Sequence, residues 1–327
     1  MGNIALGLNT LSNVRFADNQ ISSVYLGNNL VWSYYTYILD LYGSAYHAYS
    51  LRKLSSTYTG KCLRVRRTTS TPSVTTTTVD VSFNSNNTIS LDSAITYVSG
   101  TATSATNLGQ FCASVVNGYT NPDGVNTNQN IFVVTWFDQS GNNKNPTNAT
   151  ASAQPRIVNA GNLETIDGSV GVRFTSASSQ FLTLTNSATS YNNMSCYALG
   201  NSLSATVNTS IYGQGVLNIN ARLFLPQGTN IAYNTTGTFP IAGITANVDR
   251  LYEIICGAST TSAYSNGTQS SVASIASVGV TNAYIRIGAN GSPFVFMNGH
   301  VKEVIAFIGT ANRIGIENNI NTYYSVW

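Results

Sequence analysis

Apolar positions along this chain come in short alternating bursts separated by polar turns. Residues 62–67, 131–137, 170–174, 181–184, 222–225, 251–256, 283–287 and 302–308 put Val, Ile, Leu or an aromatic at roughly every second position. That is the period of a strand with one buried face. The stretches between them are rich in Asn, Gly, Ser and Thr, which close turns by bonding their own backbone or by accepting positive φ. Strand runs spaced in this way, with few helical patterns between them, predict an antiparallel sandwich rather than βαβ units. Two segments read as helical. Residues 45–54 predict a short helix with Tyr46, Tyr49 and Leu54 turned inward. Residues 311–324 predict a C-terminal helix with Ile316, Ile320, Tyr323 and Tyr324 on one side, and Thr310 and Asn312 as caps.

The first residues follow a different rule. A ten-residue period runs through 5–33: Leu6-Gly7, Phe16-Ala17 and Leu26-Gly27 align, as do Asn9, Asn19 and Asn29. Leu11, Ile21 and Val31 follow in register, and Ser12 and Ser22 match until Trp32 takes that place. Each unit reads as strand, Asn-centred turn, strand. Three such units leave edges unpaired and bury little apolar surface, so they need copies of themselves or a larger partner. The expectation is a 1–35 leader that anchors or oligomerises through Leu6, Phe16, Leu26 and Trp32, ahead of a 36–327 sandwich. Three-fold winding would cover the edges of such a leader, which predicts a homotrimer.

Charge narrows the function classes. Only 8% of the residues are charged, while 43% are apolar, enough for a packed core. No run approaches the ~20 apolar residues of a membrane span. The net charge of +3 is spread along the chain apart from Arg64, Arg66 and Arg67. Alternation puts Arg64 and Arg66 on one strand face, able to meet phosphate or acidic sugar, or simply solvated beside carboxylates; no nucleic-acid footprint emerges. Cys62, Cys112, Cys196 and Cys256 lie far apart without zinc-ligand spacing and read as buried small apolar residues. The N-terminus lacks the pattern of a signal peptide, which predicts synthesis in a cytoplasm. No cofactor or metal is expected, because the one oxygen-rich loop, with Asp138 and Asn142, has a single carboxylate for Ca²⁺.

The most informative phrase is Trp136-Phe137-Asp138-Gln139-Ser140-Gly141-Asn142-Asn143, a strand running into a tight polar turn. By residue type, Asp138, Gln139, Ser140, Gly141 and Asn142 form a structural turn with Asp138 capping backbone N–H groups. Further landmarks accompany it in order: residues 45–54 with Tyr58-Thr59-Gly60, Val65-Arg66-Arg67, Phe111-Cys112, the 287–292 and 298–303 segments, and Glu317-Asn318-Asn319-Ile320. Together they resemble the catalytic domain of α-L-arabinofuranosidase B, and the concanavalin-like modules related to it in bacteriophage structural proteins. The resemblance implies an all-β, antiparallel jelly-roll sandwich of the concanavalin A-like lectin/glucanase type. The leader, ending in Val24-Tyr25-Leu26-Gly27 and Leu30-Val31-Trp32, resembles the repeats of phage tail and head-fibre proteins.

Retaining glycosidases need two carboxyl groups about 5 Å apart. Where the resemblance places the enzymes' acid, this chain has Asn290, whose amide is no substitute for a carboxylic acid as proton donor. The nucleophile of the family is a Glu in the middle region, yet no Asp or Glu occurs between Asp167 and Asp249, and the nearest counterpart is Gln227. The family's adjacent cysteine pair is also missing, since Cys196 follows Ser195. Glu253 and Glu303 read as outward-facing strand residues, and His300 as exposed in a hairpin turn; neither His47 nor His300 has a triad around it. The resulting expectation is a non-enzymatic virion protein, a fibre or decoration protein assembled in the host bacterial cytoplasm. It would dock on other virion proteins through 1–35 and bind host-surface polysaccharide through Asn290, Gln227 and Tyr197, since aromatic faces stack on sugars and amides satisfy hydroxyls. A purely architectural protein and a glycoside hydrolase with displaced carboxylates are the alternatives.

Overall fold

The computed structural model describes residues 15–16, 19–20, 23–26, 29–33, 37–43, 45–69, 75–113, 115–125, 127–184, 194–204, 209–216, 219–224, 226–227, 230–233, 237–240, 245–256, 261–273, 284–290, 295–309 and 312–327, the backbone alone for 15–33, 115–116, 214–240, 256, 261 and 270–273. The chain forms two units, Met1–Tyr37 and Ile38–Trp327. In the first, Arg15–Phe16 pairs with Asn19–Gln20, and Ser23–Leu26 with Asn29–Ser33, both antiparallel. Phe16, Leu26 and Trp32 therefore sit on paired strands, whereas Leu6 lies outside the described residues.

The second unit is an all-β antiparallel sandwich. Its large sheet runs, in spatial order, Thr268–Ala273, Thr261–Ser265, Arg250–Cys256, Met194–Ser202, Gly299–Ile308, Val172–Phe174, Arg156–Asn159, Ile131–Trp136, Leu63–Thr69, Thr75–Val81 and Ile95–Gly100. The long strand Gly299–Ile308 forks. Its first residues pair with Val172–Phe174, and its later ones with Ala45–Ser50. Facing it lies a smaller sheet of Leu182–Leu184, Tyr284–Ile287, Tyr212–Val216 and Ile219–Phe224. Between the sheets is the main core, with Tyr49, Phe111, Trp136, Phe174 and Tyr212 fully enclosed. Cys62 and Cys112 are buried free thiols within it, and burial pushes the Cys112 thiol up to about 12.

A second core lies on the outer face of the large sheet. There Ile38, Ala48, Tyr197, Leu251, Ile305 and Phe307 pack against Ile316, Ile320 and Tyr324 of the C-terminal helix Arg313–Tyr324. Asn312 caps that helix by accepting from the N–H of Gly315 at 3.0 Å. Among the described residues no helix is long and apolar enough to cross a membrane.

One predicted element changes identity. Residues 45–54 hold no helix: Ala45–Ser50 is a strand, and the short helix lies earlier, at Ile38–Tyr42. All six strand residues are buried, with Tyr49 facing the main core and Ala48 the second one. A strand covered on both sides shows no alternation, so its Tyr46–Tyr49 spacing mimics a helical stripe.

Candidate functional site

The free edge of Ala45–Ser50 is covered by the 138–142 turn rather than by another strand. Asp138 accepts from the backbone N–H groups of Ala48 (2.8 Å), Ser140 (2.9 Å) and Lys144 (3.0 Å) and from the Ser140 hydroxyl (2.7 Å). Gln139 donates to the carbonyls of Ser50 and Arg52 and accepts from Leu54 N–H, while the Asn142 amide donates to the carbonyls of Ala45 and Tyr46. Every acceptor position on Asp138 is engaged, which leaves it a structural group. Beside this turn is an open groove of about 430 Å³ lined in part by Asp40, Tyr58, Gln139 and Ser140. Its only carboxylate, Asp40, accepts from Ser55 and Ser56, so the groove lacks the pair that acid–base hydrolysis requires.

Most other carboxylates are committed to the scaffold. Glu303 forms a two-pronged pair with Arg52 (2.8 and 2.9 Å) and accepts from Ser50, all sealed beneath the C-terminal helix. Asp80 holds Arg64, and Asp123 holds Arg67. Glu253 is buried under the same helix with Tyr197 and Tyr264 as its cross-strand neighbours. The expectation that Glu253 and Glu303 face solvent is thus corrected: the helix covers their face of the sheet.

Three further acids, Glu164, Asp167 and Asp249, belong to one polar cluster. Asp167 and Gly168, with φ of 46° and 75°, form the tip of the hairpin Thr165–Ile166/Ser169–Val170. Asp-Gly suits this two-residue turn because both central positions need positive φ. The exposed tip carries Asp167 to the start of the strand Arg250–Cys256, where the N–H of Asp249 donates to Asp167 Oδ2 at 3.1 Å. The two acids that bracket the long acid-free stretch are therefore neighbours in space. Lys302, fully buried, fixes the arrangement. Its ammonium donates to the Ile166 carbonyl at 2.8 Å, to the Ser169 hydroxyl and to Asp249 Oδ2, which uses all three of its N–H groups.

Behind this pair a polar chain continues into the sheet. Asn201 donates to Asp249 Oδ1 at 3.2 Å and, through its own carbonyl oxygen, accepts from His300 N–H at 3.2 Å. His300 Nε2 lies 3.6 Å from Glu164, which in turn accepts from Arg156 Nε at 2.6 Å. Two glycines let the strands approach here. A Cβ on Gly200 would fall 2.4 Å from the His300 carbonyl oxygen, and one on Gly299 would fall 2.0 Å from that of Asn201. His300 is therefore a buried strand residue, not the exposed turn residue expected from sequence.

Electrostatics separates the acids. Burial pushes the Asp249 carboxyl above its ordinary range, and the Asp167 charge adds to that, against the opposing pull of Lys302 and Asn201. Glu164 also feels burial, but the bonds to His300 and Arg156 outweigh it and hold this carboxyl low. Among the described residues no group of three His, Cys, Asp or Glu is placed to hold a metal.

The three sugar-binding candidates are not brought together here. Tyr197 lies in the second core against Phe307, its hydroxyl unpartnered, so its ring cannot serve as an exposed platform; its cross-strand position beneath the helix is the reason. Asn290 follows the small-sheet strand Tyr284–Ile287, nearly buried, with its side-chain oxygen unpartnered and its carbonyl accepting from Arg286 at 2.9 Å. Gln227 belongs to the short strand Pro226–Gln227, and its side chain lies outside the described residues.

This architecture is the β-sandwich found in carbohydrate-active proteins. The chain is similar to a GH54 α-L-arabinofuranosidase variant soaked with 4-nitrophenyl α-L-arabinofuranoside, at 14% identity and a TM-score of 0.50, covering 88% of this chain and 63% of that one. It is also similar to an arabinofuranosidase complexed with arabinofuranosyl-α-1,2-xylobiose (13% identity, TM-score 0.49, 86% and 64% covered). A third likeness is to domain 4 of a GH43 extracellular arabinanase from Geobacillus stearothermophilus in complex with arabinotriose (16%, 0.40, 56% and 91%). The chain thus spans less than two thirds of the arabinofuranosidase structures it matches. No family model and no curated protein matches the sequence.

These findings correct two expectations. The neighbours are glycoside hydrolases, and nothing in the comparisons points to a bacteriophage particle, so the virion fibre or decoration reading does not stand. The non-enzymatic reading falls with it. The finding that overturns it is the match to arabinofuranosidase structures over most of the chain.

Proposed function

We propose that the Ile38–Trp327 sandwich hydrolyses glycosidic bonds in a furanose-bearing glycan, with Asp249 as proton donor and Asp167 as the partner carboxylate. The observation that carries this reading is that the exposed Asp167 carboxylate, on the hairpin tip, accepts from the backbone N–H of Asp249, whose own carboxyl is buried and raised in pKa. Asp249 gives its proton to the departing oxygen as the glycosidic C–O bond breaks. Either Asp167 takes up the sugar carbon and water deprotonated by Asp249 then displaces it as the new sugar hydroxyl, which restores the Asp249 proton, or Asp167 itself deprotonates the attacking water and keeps that proton while Asp249 is reprotonated by solvent. Lys302 and Asn201 hold Asp249 in place, and the hairpin bond from Lys302 to Ile166 keeps Asp167 within reach. The fold shared with the arabinofuranosidase makes an α-L-arabinofuranoside the first substrate to offer.

The test is release of 4-nitrophenol from 4-nitrophenyl α-L-arabinofuranoside and of arabinose from arabino-oligosaccharides. Wild-type protein is expected to turn over, and Asp167→Asn and Asp249→Asn to lose about 10²–10⁴-fold while keeping the wild-type circular dichroism spectrum. A folded wild type inert on all these substrates, or variants as active as wild type, defeats the proposal.

A further inference from the structure

A row of side chains crosses the outer face of the large sheet away from the acid pair. Register places His300 opposite Arg173, Arg173 opposite Arg156, Arg156 opposite Phe132, and Phe132 opposite Arg66. Directly opposed residues project from the same face. Four strand spacings of ~4.8 Å make the row about 19 Å long. Arg156 is neutralised by Glu164, but Arg66 and Arg173 form no ion pair among the described residues.

Their positive charge rests on neutral acceptors. Arg66 donates to the Gln154 side-chain oxygen at 2.7 Å, the Ala151 carbonyl at 3.2 Å and the Thr68 hydroxyl, with its guanidinium 5.0 Å from the centre of the Phe132 ring. Arg173 donates to the carbonyls of Phe174 and Gly299 and to the Asn298 side-chain oxygen. Each guanidinium spends three of its five N–H groups in this way, and two remain for a ligand. Both are partly buried, and that burial lowers their pKa, as expected of cations short of a counter-charge. Between them stands the partly buried ring of Phe132, the type of surface on which sugar C–H groups stack.

We infer that this row is the binding track of an acidic polysaccharide, whose carboxylate or sulfate groups are taken by Arg66 and Arg173 and whose ring packs on Phe132. Guanidinium is suited to this, since its planar fork matches an oxyanion with two parallel bonds. The inference rests on the proposed hydrolysis only for direction: the row starts at His300, beside the acid pair, so an acidic backbone lying along it presents a neutral side sugar to Asp167.

The experiment is affinity electrophoresis and calorimetry of the full chain with polygalacturonate and with neutral arabinan, at low and high salt. Polygalacturonate is expected to bind the more tightly, to weaken with salt, and to lose about tenfold affinity, or 1.4 kcal/mol, for each of Arg66→Gln and Arg173→Gln. Lys53→Gln, which removes a cation outside the row, is expected to bind as wild type does. Equal binding of arabinan and polygalacturonate, or Arg66→Gln and Arg173→Gln proteins that melt like wild type and still bind fully, overturns the inference. The reporter substrate 4-nitrophenyl α-L-arabinofuranoside is uncharged, so its hydrolysis reads the acid pair independently. Acidic-glycan binding that depends on both arginines without any hydrolysis sustains the track and rejects only the catalytic reading.

Discussion

Glu253→Gln is expected to stabilise the protein, and increasingly so as pH rises. Glu253 is completely buried between Tyr197 and Tyr264 on the sheet and Glu317 and Arg313 on the C-terminal helix, and neither of its oxygens has a hydrogen-bond partner of normal geometry. Burial first, and then the Glu317 carboxylate beside it, push its pKa well above the ordinary glutamate range; Arg313, itself paired with Glu317, and the Gly267 N–H oppose this only in part. In the unfolded chain the same group ionises normally. Folding at higher pH must therefore recover a proton, and an acid with a raised folded pKa costs stability from the unfolded value upward until the folded value is passed. The slope is about 1.4 kcal/mol per pH unit for one proton. Glutamine has nearly the shape of the protonated acid and does not titrate, so it removes that slope. Urea unfolding of both proteins at several values from about pH 5 upward should give free energies that diverge as pH rises through and above the ordinary glutamate range. Parallel curves, with one constant difference across the range, would refute the account of Glu253 as a buried, protonated acid.

Two further outcomes follow from the same contacts. Asp138→Ala strands the N–H groups of Ala48, Ser140 and Lys144, and is expected to cost about 3 kcal/mol or more in denaturant unfolding. Breaking the sealed Arg52–Glu303 pair with Arg52→Met alone is expected to cost about 3–5 kcal/mol, and adding Glu303→Leu to restore most of it; a double variant less stable than the single one contradicts this.

The strands were legible because their signal is local. Alternation marked Leu63–Thr69, Ile131–Trp136 and Gly299–Ile308 to within a few residues. Ala45–Ser50 was misread since both of its faces are covered, which erases the period. The hairpin at the acid pair also had a local signal: Asp167-Gly168 between Thr165-Ile166 and Ser169-Val170 is a turn of the kind that favours Asp-Gly. Nothing near Asp249 or Lys302 in the chain announces that these residues meet it, because their partners lie 82 and 133 or more positions away.

Sequence by itself determined the antiparallel all-β character, the absence of acids between Asp167 and Asp249, and the turn chemistry of residues 138–142. Each depends on the order of neighbours along the chain. Tertiary structure alone decided which polar residues are buried and which acids are adjacent. It put Glu253 and Glu303 under a helix, drew His300 into the sheet, and folded the acid-free stretch so that its two flanking aspartates touch. Burial and the adjacency of acids arise from contacts between distant segments, and spacing along the chain does not encode them.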